Sequence, residues 1–248
     1  MVNGIQVLPI TGIPEISSCD DLADVLISLS SLNLENGDVL VVTHKIVAKA
    51  EGRIVDLRTV EPSALAKQFA REYGKDPRQI EVVLRETRRI VRMDRGVIIS
   101  ETHHGFVCAN AGVDASNIPD EESVCLLPVD PDASARRIRE TLTERLELEL
   151  AVIVSDSFGR AWRFGITDIA IGVSNMNPLV DYRGQKDEHG RLMDASVLAV
   201  ADEISGAAEL VMGKTDGVPA AIVRGYDYER GVGVSTDLIM PPERDMFR

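Results

Sequence analysis

The chain has 248 residues, which is enough for one large domain or two small ones. Hydrophobic residues make up 44% of the chain but aromatic residues only 4%, so the core must consist mainly of Val, Ile, Leu and Ala. The formal net charge of -13 and the pI of about 4.8 exclude a generally basic surface, so we expect no nucleic-acid partner. A polyanionic ligand would need a local positive site or metal ions.

The cysteines and the amino-terminal sequence indicate a reducing compartment. Cys19, Cys108 and Cys125 are widely spaced and form no CxxC pair, which argues against a disulfide framework or a structural zinc site. The first residues lack the basic and apolar regions of a signal peptide. No apolar run is long enough to span a membrane. We therefore expect a cytoplasmic protein without a membrane partner.

The first elements in chain order are a strand, a helix and a second strand. Residues 5–10 form an apolar run typical of a strand, which a Thr-Gly-Ile-Pro turn ends. Within residues 17–34, Ser18 or Asp20 can cap a helix. The apolar face of this helix contains Leu22, Val25, Leu26 and Leu29. A buried strand and a lysine-bearing segment follow at 39–52.

Two helices are predicted in the next part of the chain. Ser63 can cap the first, and Gly74 marks its end. Asp76 and Pro77, a cap followed by a first-turn proline, begin the second. Its apolar stripe contains Ile80, Val83, Leu84 and Val91, and its basic face contains Arg85, Arg88, Arg89 and Arg92. This pattern predicts that the second helix continues through residue 92.

Short apolar runs predict strands in the rest of the chain, at residues 96–101, 105–110, 123–129, 151–156, 167–174 and 219–225. Helices are expected to begin at Asp130 and to cover residues 194–212. Several strands follow one another without a helix between them, which argues against strict βαβ alternation. We therefore expect an α+β fold with mixed or antiparallel sheets and flanking helices. Residues 1–248 are expected to form a single unit, with room for two interleaved lobes.

The first candidate site segment is residues 108–117, in which small residues allow the backbone to approach a ligand closely. Asp114 and Asn117 are three residues apart and can face one direction. An ordinary turn explains the same residues, because Asp and Asn are common in turns.

The second candidate segment, residues 154–163, contains the end of a buried strand. We expect the strand to end at Asp156 and Ser157, where a carboxylate and a hydroxyl can hold Mg²⁺ or Mn²⁺ against phosphates. Arg160 and Arg163 lie just beyond and can bind an anion bidentately. The alternative is a helix cap followed by two solvated arginines.

The remaining candidate segments are basic, glycine-rich or polar. Lys45 and Lys49, four residues apart, share a helix face and can neutralise a triphosphate, although a solvated basic face is the simpler explanation. The loop that begins the segment 212–225 can cradle phosphates with its N–H groups, but it has neither the Walker A nor the GxGxxG spacing. A long polar loop at 181–190 is of a kind that is often functional.

Histidine and cysteine residues give no clear site. The adjacent His103 and His104 would point to opposite faces of a strand and could not chelate an ion together. No Ser-His-Asp arrangement is readable. Nothing near Cys108 in the sequence would lower the pKa of its thiol.

Taken together, these segments resemble one family in their order and spacing. In chain order they read LPITGIPEI, KIVAKAEGRI, CANAGVDASN, VSDSFGRAWR, RGQKDEHGR and MGKTDGVPAAIVRG. They resemble the coenzyme F420-0:L-glutamate ligases, the F420 gamma-glutamyl ligase family, over essentially the whole chain. The resemblance is to the stand-alone form, without the C-terminal nitroreductase-like domain of some bacterial members.

The resemblance implies a two-lobed ligase fold and a GTP-dependent ligation reaction. GTP would phosphorylate the carboxylate of the lactyl-phosphate tail of F420-0, and L-glutamate would attack the acyl phosphate to give an amide, GDP and phosphate. Further glutamates can follow through γ-linkages. The implied cations are two Mn²⁺ or Mg²⁺ ions, with K⁺ as a further ion, and the implied assembly is a homodimer.

The resemblance also implies roles for individual residues. Asp114 and Asp156 would bind the first metal ion, and Ser157 would help to hold the second. The residues that would line the nucleotide pocket are Ile13, Pro14, Glu15, Ile16, His44, Lys45, Lys49, Asn117, Met212, Gly213, Lys214, Thr215, Asp216, Gly217, Val218 and Pro219. Our candidates for contacts with the deazaflavin tail or glutamate are Arg160, Arg163, Arg183 and Lys186. No residue is assigned as the base that deprotonates the incoming amine.

The chain departs from the family at Lys214. At the aligned position, relatives can have a residue with a carboxylate that binds the second metal ion. Asp216 could take over this role, water and phosphate could hold the ion, or Lys214 could replace part of its charge.

Two other functions stay open at this point. One is a non-catalytic deazaflavin- or nucleotide-binding protein, and the other is a related amide ligase with another acid acceptor.

Overall fold

The structure is a computed structural model that describes residues 4–29 and 32–246. The strands are β1 Gln6–Pro9, β2 Val39–Thr43, β3 Ile54–Asp56, β4 Thr87–Asp94, β5 Val97–Thr102, β6 Val107–Ala109, β7 Ser123–Cys125, β8 Ala151–Arg160, β9 Arg163–Ser174, β10 Val180–Asp181, β11 Val197–Leu198 and β12 Ala220–Arg224. The α-helices are α1 Leu22–Ile27, α2 His44–Ala50, α3 Ala64–Tyr73, α4 Pro77–Arg85, α5 Pro131–Leu146 and α6 Val200–Met212. This confirms the predicted α+β class. In the described ranges, no helix is long and apolar enough to cross a bilayer.

A five-stranded mixed sheet with the order β1-β12-β2-β8-β9 forms the centre of the molecule. β2 and β8 are parallel, with Thr43 opposite Ser155, and the other neighbouring strands are antiparallel. β2 and the first half of β8 are continuous apolar runs that are buried on both faces, as expected of central parallel strands.

Helices cover both faces of this sheet, because successive side chains of a strand point to opposite sides. Leu40 and Val42 of β2 belong to the same buried cluster as residues of α1, α2 and α5. Val39 and Val41 belong to a second cluster, together with residues of α6. Among the described residues, three α-helices therefore cover one face of the central sheet and one α-helix covers the other.

A third hydrophobic cluster is built from the chain between residues 57 and 126, around α3, α4, β5 and β7. The predicted ends of α3 are confirmed. Ser63 Oγ accepts a hydrogen bond from Ala66 N, and Gly74 ends the helix in the left-handed conformation with φ 65°. This region also contains a three-stranded sheet, β4-β5-β6, and a two-stranded sheet, β3-β7.

The prediction that the second basic helix continues through residue 92 is wrong. α4 ends at Arg85, and β4 begins at Thr87 and pairs antiparallel with β5. The basic face is therefore divided between a helix end and a strand, where Arg89 binds Glu101 of β5 with a shortest distance of 2.7 Å. Pairing with a neighbouring strand overrides the local helical periodicity, and such pairing cannot be read from one segment alone.

Two further boundaries differ from the prediction. Asp21, rather than Ser18 or Asp20, caps α1, because its carboxylate accepts hydrogen bonds from two backbone N–H groups of the first turn. The part of the predicted helix at residues 30 and 31 lies outside the described residues. α6 begins at Val200 rather than at 194, because the residues just before it pair as β11 with β10.

Candidate functional site

One edge of the central sheet brings together segments that are distant along the chain. Because β2 and β8 are parallel, α2, which follows β2, lies beside Asp156 of β8. β12 is antiparallel to β2 and begins at the same edge, where Thr43 N donates to the Pro219 carbonyl at 2.9 Å. β1 ends there as well, since Ile10 N donates to the Ala220 carbonyl at 2.9 Å.

A cavity of about 610 Å³ opens at this edge. All the predicted metal ligands line it: Asp114, Asp156 and Ser157. The predicted nucleotide-binding residues that line it are Ile13, Pro14, Glu15, Ile16, His44, Lys45, Lys49, Asn117, Met212, Gly213, Lys214, Thr215, Gly217, Val218 and Pro219. Asp216 of the same loop does not line the cavity.

The prediction that a strand ends at Asp156 and Ser157 is wrong, because β8 continues to Arg160 and forms a hairpin with β9. Trp162 closes this hairpin with a φ of 56°. Asp156 therefore lies inside a long strand and not in a helix cap, and its side chain is only 13% exposed. The hairpin carries Asp156, Ser157 and Asp168, which line the cavity.

Asp156 is paired with His44, the first residue of α2. Nδ1 of His44 lies 3.0 Å from Oδ1 of Asp156, and the imidazole is 2% exposed. Burial by itself lowers the pKa of His44, but the charge and the hydrogen bond of Asp156 outweigh burial and raise this pKa to about 10. The histidine is thus an imidazolium that fixes one oxygen of Asp156. No described residue donates to the other oxygen, Oδ2.

Asp114 lies just before a turn, lines the cavity and is paired with a lysine. Lys45 Nζ is 2.8 Å from Asp114 Oδ2, and the backbone N–H of Ser116 donates to Oδ1 at 2.7 Å. Burial opposes ionisation of Asp114, but the hydrogen bonds from Lys45 and Ser116 lower its pKa. The turn that the sequence offered as an alternative is therefore present, and it also brings Asp114 and Asn117 to the cavity.

Lys49 lies one helical turn after Lys45 on α2 and also faces the cavity, as predicted from their spacing. Its side chain is 10% exposed, and Nζ binds Oε1 of Glu15 at 2.5 Å. Glu15 itself is 60% exposed. Lys45 and Lys49 of the cavity wall are therefore each paired with a carboxylate that is more exposed than the lysine itself.

A cluster around Asp168 was not predicted. Asp168 is 2% exposed on β9, and its carboxylate accepts hydrogen bonds from the hydroxyls of Ser155 at 3.0 Å and Ser157 at 2.6 Å. Lys214 Nζ lies 3.2 Å from Asp168 Oδ1 and 2.7 Å from Glu209 Oε1 of α6. The one available signal was an acidic residue in the otherwise apolar strand TDIAIGVS, because a buried carboxylate needs partners.

The charges of this cluster influence one another. Burial lowers the pKa of Lys214, but Glu209 and Asp168 outweigh burial and raise it, so the side chain stays an ammonium. Burial and the charge of Asp168 raise the pKa of Glu209, although Lys214 opposes this shift.

The other titratable candidates lie elsewhere. His103 and His104 each contact backbone carbonyl oxygens, of Arg85 and Pro128 respectively. Cys108 is buried, and burial together with the charge of Asp156 raises the pKa of its thiol to about 12. In residues 4–29 and 32–246, no three His, Cys, Asp or Glu side chains are grouped closely enough to hold a metal ion by themselves.

The four basic residues considered for substrate contacts do not line the cavity. Arg160 and Arg163 face each other near the tip of the β8–β9 hairpin. Arg183 is paired with Asp181 at 2.5 Å on the surface. Lys186 lies in the loop between β10 and β11, where it forms an isolated bridge with Leu192.

The fold and the cavity define an α+β protein with a small-molecule site rich in carboxylates and lysines. A family model described as F420-0:Gamma-glutamyl ligase matches residues 11–225. The chain therefore belongs to the F420-0:gamma-glutamyl ligase family.

Several archaeal proteins named coenzyme F420:L-glutamate ligase are similar to the chain over nearly its full length. The protein of Methanothermobacter thermautotrophicus is 44% identical over 251 residues, which cover 99% of each chain. That of Methanopyrus kandleri is 43% identical over 255 residues and 100% of each chain. That of Archaeoglobus fulgidus is 39% identical over 245 residues, which cover 98% of this chain and 96% of the relative.

Proposed function

We propose that the chain is a GTP-dependent ligase that adds L-glutamate, once or more through γ-linkages, to coenzyme F420-0 during F420 biosynthesis. The observation that carries the proposal is the convergence of Asp114, Asp156 and Ser157 with three lysines in one cavity. Membership of the family and the names of its archaeal relatives support the substrate assignment.

The chemistry requires activation of the acceptor, because a carboxylate has no leaving group that an amine can displace. In the proposed reaction, a carboxylate oxygen of the lactyl-phosphate tail attacks the γ-phosphorus of GTP, and the bond to the β-phosphate oxygen breaks to release GDP. The amine of L-glutamate then attacks the acyl carbon. The C–O bond to phosphate breaks, the nitrogen loses a proton, and an amide and inorganic phosphate remain.

In this proposal, the lysines of α2 bind the phosphates of the nucleotide. Lys45 and Lys49 are held by Asp114 and Glu15, whose side chains are 40% and 60% exposed. Because the carboxylate partner is the exposed member of each pair, a phosphate can replace it at the ammonium group. The cavity of about 610 Å³ falls in the usual range for small-molecule sites.

The residues present fit one divalent ion at Asp114 and Asp156, provided that Lys45 leaves Asp114 to bind a phosphate. Both carboxylates offer oxygens, which Mg²⁺ and Mn²⁺ prefer, and Oδ2 of Asp156 has no donor among the described residues. An ion bound there would supply positive charge to the phosphoryl oxygens. His44 holds the first oxygen of Asp156 and so orients the second.

The direct test is incubation of the purified chain with F420-0, L-glutamate, GTP and Mn²⁺, followed by mass spectrometry of the deazaflavin. We expect the mass to increase by whole glutamyl residues, with GDP formed only when F420-0, glutamate and the metal ion are all present. Absence of glutamylated product would refute the ligase. Transfer of glutamate to another carboxylic acid, with F420-0 unchanged, would refute the acceptor assignment alone.

Calorimetry separates the ligase from a protein that only binds the deazaflavin or the nucleotide. A binding protein would hold F420-0 without GTP or metal and would form no GDP. The ligase is expected to release GDP in a ratio of about one per amide formed.

A further inference from the structure

Lys214 is surrounded by oxygen atoms from three separate elements of the fold. Its Nζ lies 2.7 Å from Oε1 of Glu209 on α6 and 3.2 Å from Oδ1 of Asp168 on β9, and it also contacts Oγ of Ser157 on β8. An ammonium group has three N–H donors, so these three acceptors satisfy it completely. The nitrogen thus binds three oxygens that a small cation could otherwise bind, while the lysine side chain stays 48% exposed.

The backbone and the strand register fix this position. Gly213 ends α6 with φ 59° and ψ −163°, a conformation that is essentially limited to glycine, so the chain turns back and places Lys214 over Glu209. Ser157 and Asp168 are directly opposite each other in the β8–β9 ladder. Asp168 is 2% exposed and is also held by Ser155, so it cannot turn away from the ammonium.

A divalent ion does not fit this oxygen cluster as it stands. The Nζ–O distances of 2.7 Å to Glu209 and 3.2 Å to Asp168 are those of hydrogen bonds. Mg²⁺ demands oxygen ligands at about 2.0–2.1 Å, so the oxygens would have to close in and Lys214 would have to leave. Asp216, the acidic residue of the loop, does not line the cavity and offers no replacement ligand there.

We propose that the ammonium of Lys214 is a built-in cation of this site and takes the place of a second divalent ion. The chain then binds a single divalent ion with the nucleotide, at Asp114 and Asp156. This inference deepens the proposed function and rests on it for the identity of the nucleotide. Lys214 is close enough to Ser157 to neutralise phosphoryl oxygens from the β8 side while the ion acts from the Asp114 side.

The test counts the ions directly. The chain is saturated with GDP and titrated with Mn²⁺, and the free ion is measured by electron paramagnetic resonance. We expect about one bound Mn²⁺ per chain in the wild type and about two in Lys214→Glu, which replaces the ammonium with a third carboxylate beside Asp168 and Glu209. Lys67→Glu makes the same charge change on the exposed face of α3 and is expected to keep about one.

The wild-type count decides the question even if the variant folds poorly. About two Mn²⁺ ions per wild-type chain would overturn the inference while leaving the ligase proposal intact. A folded Lys214→Glu variant, checked by circular dichroism, that still binds about one ion would overturn it too. Failure of the ligase proposal would show instead as the absence of glutamylated F420 in the mass spectrum, whatever the ion count.

Discussion

Replacing Gly172 with alanine tests the contact between β9 and α5, on which the support of the site depends. A Cβ atom at this position would lie 2.3 Å from the carbonyl oxygen of Pro131 and 2.4 Å from its carbonyl carbon. Both atoms belong to the backbone of the first turn of α5, so no side-chain rotation relieves the overlap. To reach van der Waals contact, the helix and the strand must separate by about 1 Å in a close-packed interior.

The cost of this movement follows from what the first turn of α5 holds. The carboxylate of Asp132 accepts hydrogen bonds from Val173 N at 2.7 Å and from Ser235 N at 3.0 Å, so a shift stretches charge-assisted bonds. Overpacking of a core costs about 1–3 kcal/mol, and hydrogen bonds to a charged group are worth about 1.5–3 kcal/mol. We expect Gly172→Ala to lower the free energy of unfolding by about 3–5 kcal/mol.

Urea denaturation followed by far-UV circular dichroism measures this change. Tryptophan fluorescence is a poor probe here, because Trp162 is 83% exposed in the folded state. Gly159→Ala is the matched control: Gly159 lies in the paired strand β8, and its added Cβ would meet nothing within 4 Å. We expect the control to change stability by less than about 0.5 kcal/mol. A Gly172→Ala protein within about 1 kcal/mol of the wild type would refute the close-approach argument.

Three further predictions concern the site, the thiols and the core. Asp156→Asn should reduce glutamate addition, measured by mass spectrometry, at least about 100-fold while the circular dichroism spectrum stays native, and a near-normal rate would contradict the metal assignment. A thiol reagent at mildly alkaline pH should modify the exposed Cys19 quickly and Cys108 only after unfolding. The reason is that burial raises the pKa of the Cys108 thiol to about 12. Equal rates of modification would contradict the burial of Cys108. Leu142→Ala, at a residue that is 0% exposed, should cost about 2–5 kcal/mol in urea denaturation, whereas Leu210→Ala, at one that is 85% exposed, should cost little.

The elements that the sequence predicted well are those with local signals. The cap at Ser63, the glycine at the end of α3 and the proline that begins α4 each act within a few residues, so they can be read from the sequence. The segment from Thr87 to Asp94 has arginines and aliphatic residues at helical spacing but forms β4. Its conformation depends on pairing with β5, which is a tertiary interaction that no local pattern contains.

The same distinction applies to the cavity. Asp114, Asp156 and the loop from 212 to 219 were found because small or polar residues interrupt apolar runs there, and because their order resembles a family. Asp168 and Glu209 were missed, since each belongs to an ordinary-looking strand or helix. The role of Asp168 depends on contacts with Ser157, 11 positions away, and with Lys214, 46 positions away. That of Glu209 depends on how the chain turns back after α6 and places Lys214 beside it, which only the folded chain reveals.

The alternation of side chains along β8 explains why the cavity contains two separate charge clusters. Successive residues of a strand point to opposite faces, so the side chains of Asp156 and Ser157 are poorly placed to bind the same ion. Two neighbouring residues in a loop at a strand end could do so. Ser155 and Ser157 share one face and both donate to Asp168, while Asp156 turns to His44 of α2. Because β8 continues as a strand instead of ending, it separates a cluster in which His44 pairs with Asp156 from one in which Lys214 pairs with Asp168.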